Sequence, residues 1–267
     1  YPVVRKLEFN NEGLKIKDKL NVAVVSDKRS PAVKKFFELL DEHSIAYNLI
    51  SRKDAGKADI VLGTKKARDK SAVEKFFGDE ALSNEQGYIL NCVKEADGNR
   101  VFLVGASDEG LYYGVMSFRQ MLEDKKDCGY LPIVNISDYP SIPLRGFVEG
   151  YYGYPWPFEA KMGLIKDSSK YKMNVYIYAP KDDPYHKSRW RELYPEDKAN
   201  ELKQLAEVST AHNVSFCWNI HPGNISADGG DFELLMNKFE QLYQLGVRQF
   251  GVSYDDISAN SAAPHIE

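Results

Sequence analysis

"MNVYIYAPKDD", residues 173–183, is the stretch that decides the fold. Apolar and aromatic residues fill its first half, and a lysine and two aspartates close it. It reads as a buried strand that ends in a polar cluster. Outward on one side, "WPFEAKMGLIKDSSKYK" reads as a helix and "RGFVEG" as an earlier strand, ending in a carboxylate and a glycine. On the other side "EDKANELKQLAEVSTAHN" is a helix, "VSFCWNIHPG" a strand, "DFELLMNKFEQLYQLGV" a helix and "RQFGVSYDD" a strand. Strand and helix alternate at about 35 residues per unit, so the crossovers are helical and the strands parallel. Strand order is not readable from this pattern, and an open sheet and a closed barrel both fit it. Polar residues gather at the C-terminal end of every strand, where (β/α) barrels build active sites. Four such units are half of an eight-unit barrel, and "SAAPHIE" stands where a fourth helix is due. Half a barrel would expose two sheet edges and one side of its core, so the expectation is a piece of a longer protein.

Upstream, "LNVAVVSD" reads as a strand, and "SPAVKKFFELLDEH" as a helix with Ser30 as cap and Pro31 in its first turn. "ADIVLGT" is a strand and "SAVEKFFGD" a short helix. "GYILNCVKEADGNRVFLVGAS" makes two strands around a turn at Asp97 and Gly98, and "SDEGLYYGVMSFRQMLED" a helix capped by Ser107 or Asp108. Consecutive apolar residues in these strands suit a sheet covered by helices. "DCGYLPIVNISDYPSIPL", broken by Pro132, Pro140 and Pro143, reads as a linker. The expected organisation is a small N-terminal α/β domain over residues 1–140, followed over 141–267 by the β/α repeat.

The 267 residues are 43% hydrophobic and 28% charged, enough for a substantial core, with a net charge of -4. Without a basic block there is no nucleic-acid footprint. No apolar run reaches the length of a membrane span. The start, "YPVVRKLEFN", carries no apolar signal segment and is compatible with a mature secreted or periplasmic chain. Cys92, Cys128 and Cys217 are too few for a disulfide scaffold and read as small buried hydrophobes, with a Cys92–Cys128 bridge left open.

The chemistry-bearing residues lie at the strand ends. Asp255 and Asp256 follow the fourth strand. Two carboxylates that share a site separate their pKa values, which is what an acid/base pair needs; a helix cap or an ion-pair role is the plainer alternative. After the second strand come Lys181, a hydrogen-bond donor for a ligand hydroxyl or carbonyl, and Asp182 and Asp183, which orient that lysine or cap backbone. Tyr185, Trp190 and Tyr194 beyond them pack the loop down or floor a cleft. Gly150 and Gly153 after the first strand allow close backbone approach, and Glu149 is an ion-pair candidate. Asn219 and His221 end the third strand, His221 reading as a structural residue bonded to backbone. With five histidines and no HExxH, no metal or other cofactor is expected. "GASDEGLYYG" lacks both GxGxxG and the Walker lysine, so no phosphate loop is expected. Paired carboxylates without metal ligands favour glycoside hydrolysis over hydride or phosphoryl transfer. Neighbouring residues do not easily flank a sugar ring from opposite faces, which favours a nucleophile carried by the substrate.

"RGFVEGYYGYPW", "MNVYIYAPKDDPYHKSRWRELYP", "NIHPG" and "GVRQFGVSYDDIS" together resemble the family 84 glycoside hydrolases, the O-GlcNAcases and related bacterial β-N-acetylglucosaminidases. The resemblance runs from about Leu144 to Ile257. It implies a (β/α)8 TIM-type barrel, of which about the first four units are present, preceded by a small α/β domain. It implies hydrolysis of a terminal β-linked N-acetylglucosamine on a glycan or glycopeptide, with retention, through an oxazoline formed by the sugar's own acetamido oxygen. On that pattern Asp255 holds the acetamido N–H, Asp256 is the general acid and base, Lys181 bonds a sugar hydroxyl, Gly150 touches the same sugar, and Asn219 and Tyr254 line the cleft. Further family residues come from later strands, so the expected partner is the other half of the barrel in the same protein. The alternatives are an endo-acting, hyaluronidase-like hydrolase and a non-catalytic sugar-binding module.

Overall fold

The computed structural model describes residues 2–15, 19–95, 98–123, 130–154, 156–222, 225 and 230–254. The chain forms two compact units, residues 1–143 and 144–267.

The first unit is built on a mixed sheet of seven strands: β1 (Lys6–Lys15), β2 (Leu20–Val24), β3 (Tyr47–Ile50), β4 (Ile60–Thr64), β5 (Tyr88–Glu95), β6 (Gly98–Gly105) and β7 (Tyr130–Asp138). Their order is β1-β7-β5-β6-β4-β2-β3. One face packs on two helices, α1 (Pro31–Glu42) and α2 (Asp108–Glu123), through Val22, Val24, Leu62, Leu103, Phe36 and Phe118. The other face, with Ala23, Val61, Phe102 and Val104, is covered by short 3-10 segments and loops. Burial on both faces is why β2, β4 and β6 carry apolar runs at their buried ends. Ser30 caps α1, its Oγ accepting from the Val33 N–H at 3.4 Å, with Pro31 opening the helix. Cys92 is a buried free thiol, and Cys128 lies outside the described residues. So do Ala96 and Asp97 of the expected turn between β5 and β6.

Two expectations fail here. Residues 71–79 do not form a helix; only Glu74–Phe76 makes a 3-10 turn. A nine-residue segment gains too few hydrogen bonds to repay helix nucleation. The stretch read as a linker contains β7, an internal strand between β1 and β5 with Val134 and Ile136 buried. Pro132 is accommodated because it pairs with Gly13, where the β1–β7 register shifts; a bulge tolerates a residue that donates no ladder bond.

The second unit repeats one motif: β8 (Gly146–Glu149), α3 (Phe158–Lys170), β9 (Val175–Tyr178), α4 (Glu196–Ala211), β10 (Ser215–Ile220), α5 (Gly230–Gln244) and β11 (Gln249–Val252). All strand pairs are parallel and the order is β8-β9-β10-β11. An order that always steps the same way, with right-handed crossovers, lays every helix on the same face, as in a (β/α) barrel. A doubly wound sheet would reverse direction. Tyr176, Tyr178, Phe216 and Trp218 point to the helices and are buried with Ile165, Leu202 and Leu242. The opposite face carries Val148, Ile177, Cys217, Asn219 and Gly251, with Val148 54% exposed. The three helix-to-strand turns share one geometry. Lys172, Asn213 and Gly246 take positive φ (64°, 56° and 99°) just past each helix. The next N–H reaches back to Ser168, Ser209 or Leu242, respectively, closing the helix end.

Candidate functional site

Glu149, Asn219 and His221 are buried polar residues at C-terminal strand ends of the second unit, and His186 is another in the loop beyond β9. At the end of β8, Glu149 turns to the helix face and is 2% exposed. Its Oε1 lies 2.9 Å from Lys161 Nζ on α3, and its Oε2 accepts from the Tyr176 hydroxyl. The Lys161 ammonium also stands 4.9 Å from the centre of the Tyr178 ring. Burial, then the neighbouring Glu149 charge, holds the Tyr176 phenol far above its ordinary pKa. Glu149 is thus an ion-pair residue, as its sequence position suggested, with partners that no local pattern announced. Gly150 follows; a Cβ there would meet Val148 Cγ1 at 3.2 Å, a tight contact that a small shift relieves.

After β9 the loop is anchored by Asp183. Its Oδ2 accepts from Tyr178 (3.0 Å) and Tyr194 (2.7 Å), and its Oδ1 caps the Tyr185 N–H at 2.8 Å. Tyr194 in turn accepts from Trp218 Nε1 at 3.0 Å. Burial first, then Asp183, pushes both phenols well above their usual range. Asp183 therefore caps backbone and ties the Tyr178 and Tyr194 side chains together, with Trp218 joined through Tyr194. Trp190 and Tyr194 are buried and pack the loop. Lys181 is half-buried, 5.8 Å from the centre of the Tyr152 ring. A cavity of about 320 Å³ opens beside this loop, lined by Trp156, Lys161, Tyr178, Asp182, Tyr185 and Glu201 among others.

His186 Nε2–H donates to the Pro180 carbonyl at 2.6 Å, and the His186 carbonyl accepts from the His221 N–H at 2.8 Å. Burial lowers the His186 pKa, with Lys181 and His221 adding to it and Asp183 and the Pro180 carbonyl opposing. The His186 imidazole is thus bonded to backbone, as is that of His212 through the Val208 carbonyl at 2.9 Å, and His221 Nδ1 has no partner among the described residues. Asn219, 7% exposed, donates from Nδ2 to Ser253 Oγ at 2.8 Å. Tyr254 is 40% exposed. Asp255 and Asp256 lie outside the described residues. Among the described residues no three of His, Cys, Asp and Glu gather closely enough to share a metal ion.

Lys161, Ser253 and Lys238 were not singled out by the sequence. Lys238 on α5 is fully buried, donates to the Tyr185 carbonyl at 3.2 Å, and lies 4.4 Å from the Tyr194 ring centre. A lysine inside an otherwise amphipathic helix carries no signal that separates it from an exposed one.

Comparison with known proteins gives a consistent assignment. Residues 145–265 match the family model for β-N-acetylglucosaminidase, and residues 1–139 match that for glycosyl hydrolase family 20, domain 2. Protein O-GlcNAcase of Rattus norvegicus and of Mus musculus are each 37% identical over 126 residues, 46% of this chain and 14% of theirs. The solved structure of CpGH84B superposes with a TM-score of 0.82 at 32% identity, covering 99% of this chain and 45% of that one. CpGH84D gives 0.82 at 29% identity, with 99% and 46% covered. The chain thus spans less than half the length of each of these relatives.

Proposed function

We propose that this chain, which belongs to the family 84 glycoside hydrolases, carries the catalytic strand ends of a retaining β-N-acetylglucosaminidase acting on terminal β-linked N-acetylglucosamine of the O-GlcNAc type. The observation that carries the reading is the match of residues 145–265 to the β-N-acetylglucosaminidase family model, which takes in every candidate residue at the strand ends.

In this reading the acetamido carbonyl oxygen of the bound sugar attacks C1 as the bond from C1 to the aglycone oxygen breaks. Asp256 gives its proton to the departing oxygen. Asp255 accepts the acetamido N–H and steadies the positive charge that develops on the oxazoline. Water then attacks C1, Asp256 takes its proton, and the acetamide is restored with net retention. Tethering the nucleophile to the substrate makes attack intramolecular, which removes up to about 7–11 kcal/mol of barrier. Lys181 and the backbone at Gly150 bind the sugar. The rest of the pocket comes from further β/α units of a barrel in the same protein. The 45% coverage of CpGH84B and the consecutive strand order support that part.

The test is hydrolysis of an aryl β-N-acetylglucosaminide by the full-length protein, followed by proton NMR of the anomer first released. The β-anomer together with tight inhibition by the N-acetylglucosamine-thiazoline, which mimics the oxazoline, is the expected result. An α-anomer first product, or a sugar trapped on a protein side chain, would end the proposal.

A further inference from the structure

Asn219 sits at a position that ordinarily rejects it. It lies in a parallel strand, on the face away from the helices, and is 7% exposed. Asn is disfavoured in strands, and a buried carboxamide destabilises the fold unless its polar atoms are matched. Its register partner is Gly251. A Cβ on Gly251 would stand 2.3 Å from Asn219 Oδ1, so the carboxamide lies across the space that a side chain would fill. Crossing there, it reaches Ser253, whose Oγ accepts from Nδ2 at 2.8 Å. Ser253 lies just beyond β11, and its own N–H donates to the Ile220 carbonyl at 2.8 Å. Two bonds thus converge on one residue after the strand ends, and a glycine is kept opposite to make room for one of them. That residue precedes Asp255 by two positions in the chain.

Resting on the function proposed above, we infer that Asn219 is a positioning residue for the Asp255–Asp256 pair, acting through Ser253. The carboxamide fixes the backbone from which the two carboxylates depart. A displacement on the order of 1 Å at a reacting group lowers turnover by about 100-fold, so the latch is read in kcat, with little change in sugar binding.

The experiment uses the full-length protein with Asn219→Ala, Ser253→Ala, the double variant and Ser253→Thr. On an aryl β-N-acetylglucosaminide, each alanine variant lowers kcat by about 10–100-fold while KM stays within about threefold. The double variant is no worse than the poorer single, because both remove one interaction. Ser253→Thr, which keeps the hydroxyl, stays close to wild type. Unchanged kcat in Asn219→Ala, or additive losses in the double variant, overturns the inference. So does a rise in KM with kcat retained, which would make Asn219 a direct sugar contact. Hydrogen exchange reads the latch without any activity. In Asn219→Ala the peptide spanning Ser253–Asp256 exchanges about tenfold faster while the rest of the sheet is unaffected, and unaltered exchange there also overturns it. An inactive wild type with accelerated exchange in the variant rejects the enzymatic reading and keeps the latch. Should Asn219→Ala fail to fold, Ser253→Ala supplies both readouts.

Discussion

Lys161 Nζ lies 2.9 Å from Glu149 Oε1, and the two side chains are only 10% and 2% exposed. A charge pair this far from water is held by its geometry, and removing one member leaves the other uncompensated. Lys161→Met is therefore expected to lower unfolding free energy by about 3–5 kcal/mol. The double replacement Glu149→Leu, Lys161→Met should lose clearly less, since no lone charge remains. Urea denaturation of the four proteins closes the cycle. A double variant as unstable as the sum of the singles would show that the two residues do not act as a pair.

Asp183 accepts hydrogen bonds from both the Tyr178 and the Tyr194 hydroxyl. Asp183→Ala takes that acceptor away from two buried phenols, and hydrogen bonds to a charged acceptor contribute about 1.5–3 kcal/mol each. A loss of about 3 kcal/mol or more is expected. Because Trp218 Nε1 donates to Tyr194, the near-ultraviolet circular dichroism of the folded variant should change as well. A variant with native stability and an unaltered aromatic spectrum would refute the anchoring role.

Lys238 gives stability a dependence on pH. Burial lowers its pKa from 10.5 to about 8, against the opposing pull of Asp183 and Glu192. The folded state therefore gives up this proton more readily than the unfolded chain. Below pH 8 both states are charged and the folded protein bears the whole desolvation penalty. Between about 8 and 10.5 the unfolded state holds more protons, so this residue's contribution becomes steadily more favourable as pH rises. Measured as wild type minus Lys238→Met, the unfolding free energy should climb across that window. A flat difference would mean that the ammonium reaches water in the native state.

Gly251→Ala places a methyl 2.3 Å from Asn219 Oδ1. Overpacking of this kind costs about 1–3 kcal/mol. Truncating the opposing side chain vacates the space, so Gly251→Ala should be less harmful in an Asn219→Ala background than in the native one. Equal penalties in both backgrounds would show that the carboxamide moves aside freely.

For the proposed chemistry, Asp256→Asn should slow poor leaving groups far more than activated aryl ones, because only the former need the proton. A positioned acid is worth about 10²–10⁴-fold. Asp255→Asn should slow all substrates alike. Rates across a series of aryl leaving groups separate the two roles. Equal losses on every substrate for Asp256→Asn would remove it as the acid.

What the sequence settled by itself was local. The alternation of strand and helix after Leu144, the polar cluster behind "VYIY", and the Ser30–Pro31 helix start each depend on residues within a few positions of one another. Hydrophobic periodicity and capping act over that same range. Where local signals opposed the tertiary context they misled: the prolines around residues 132–143 concealed β7, which exists because β1 and β5 supply its ladder bonds from either side. The strand periodicity left the strand order open and the family resemblance implied the barrel; the tertiary structure supplied the consecutive order that distinguishes a barrel-type sheet from a doubly wound one. It also turned Glu149 toward α3 and Asn219 toward the opposite face. In strands of four to six residues side-chain parity is too brief to say which face meets the helices, and pairing register, set by contacts between residues tens of positions apart, assigns each face.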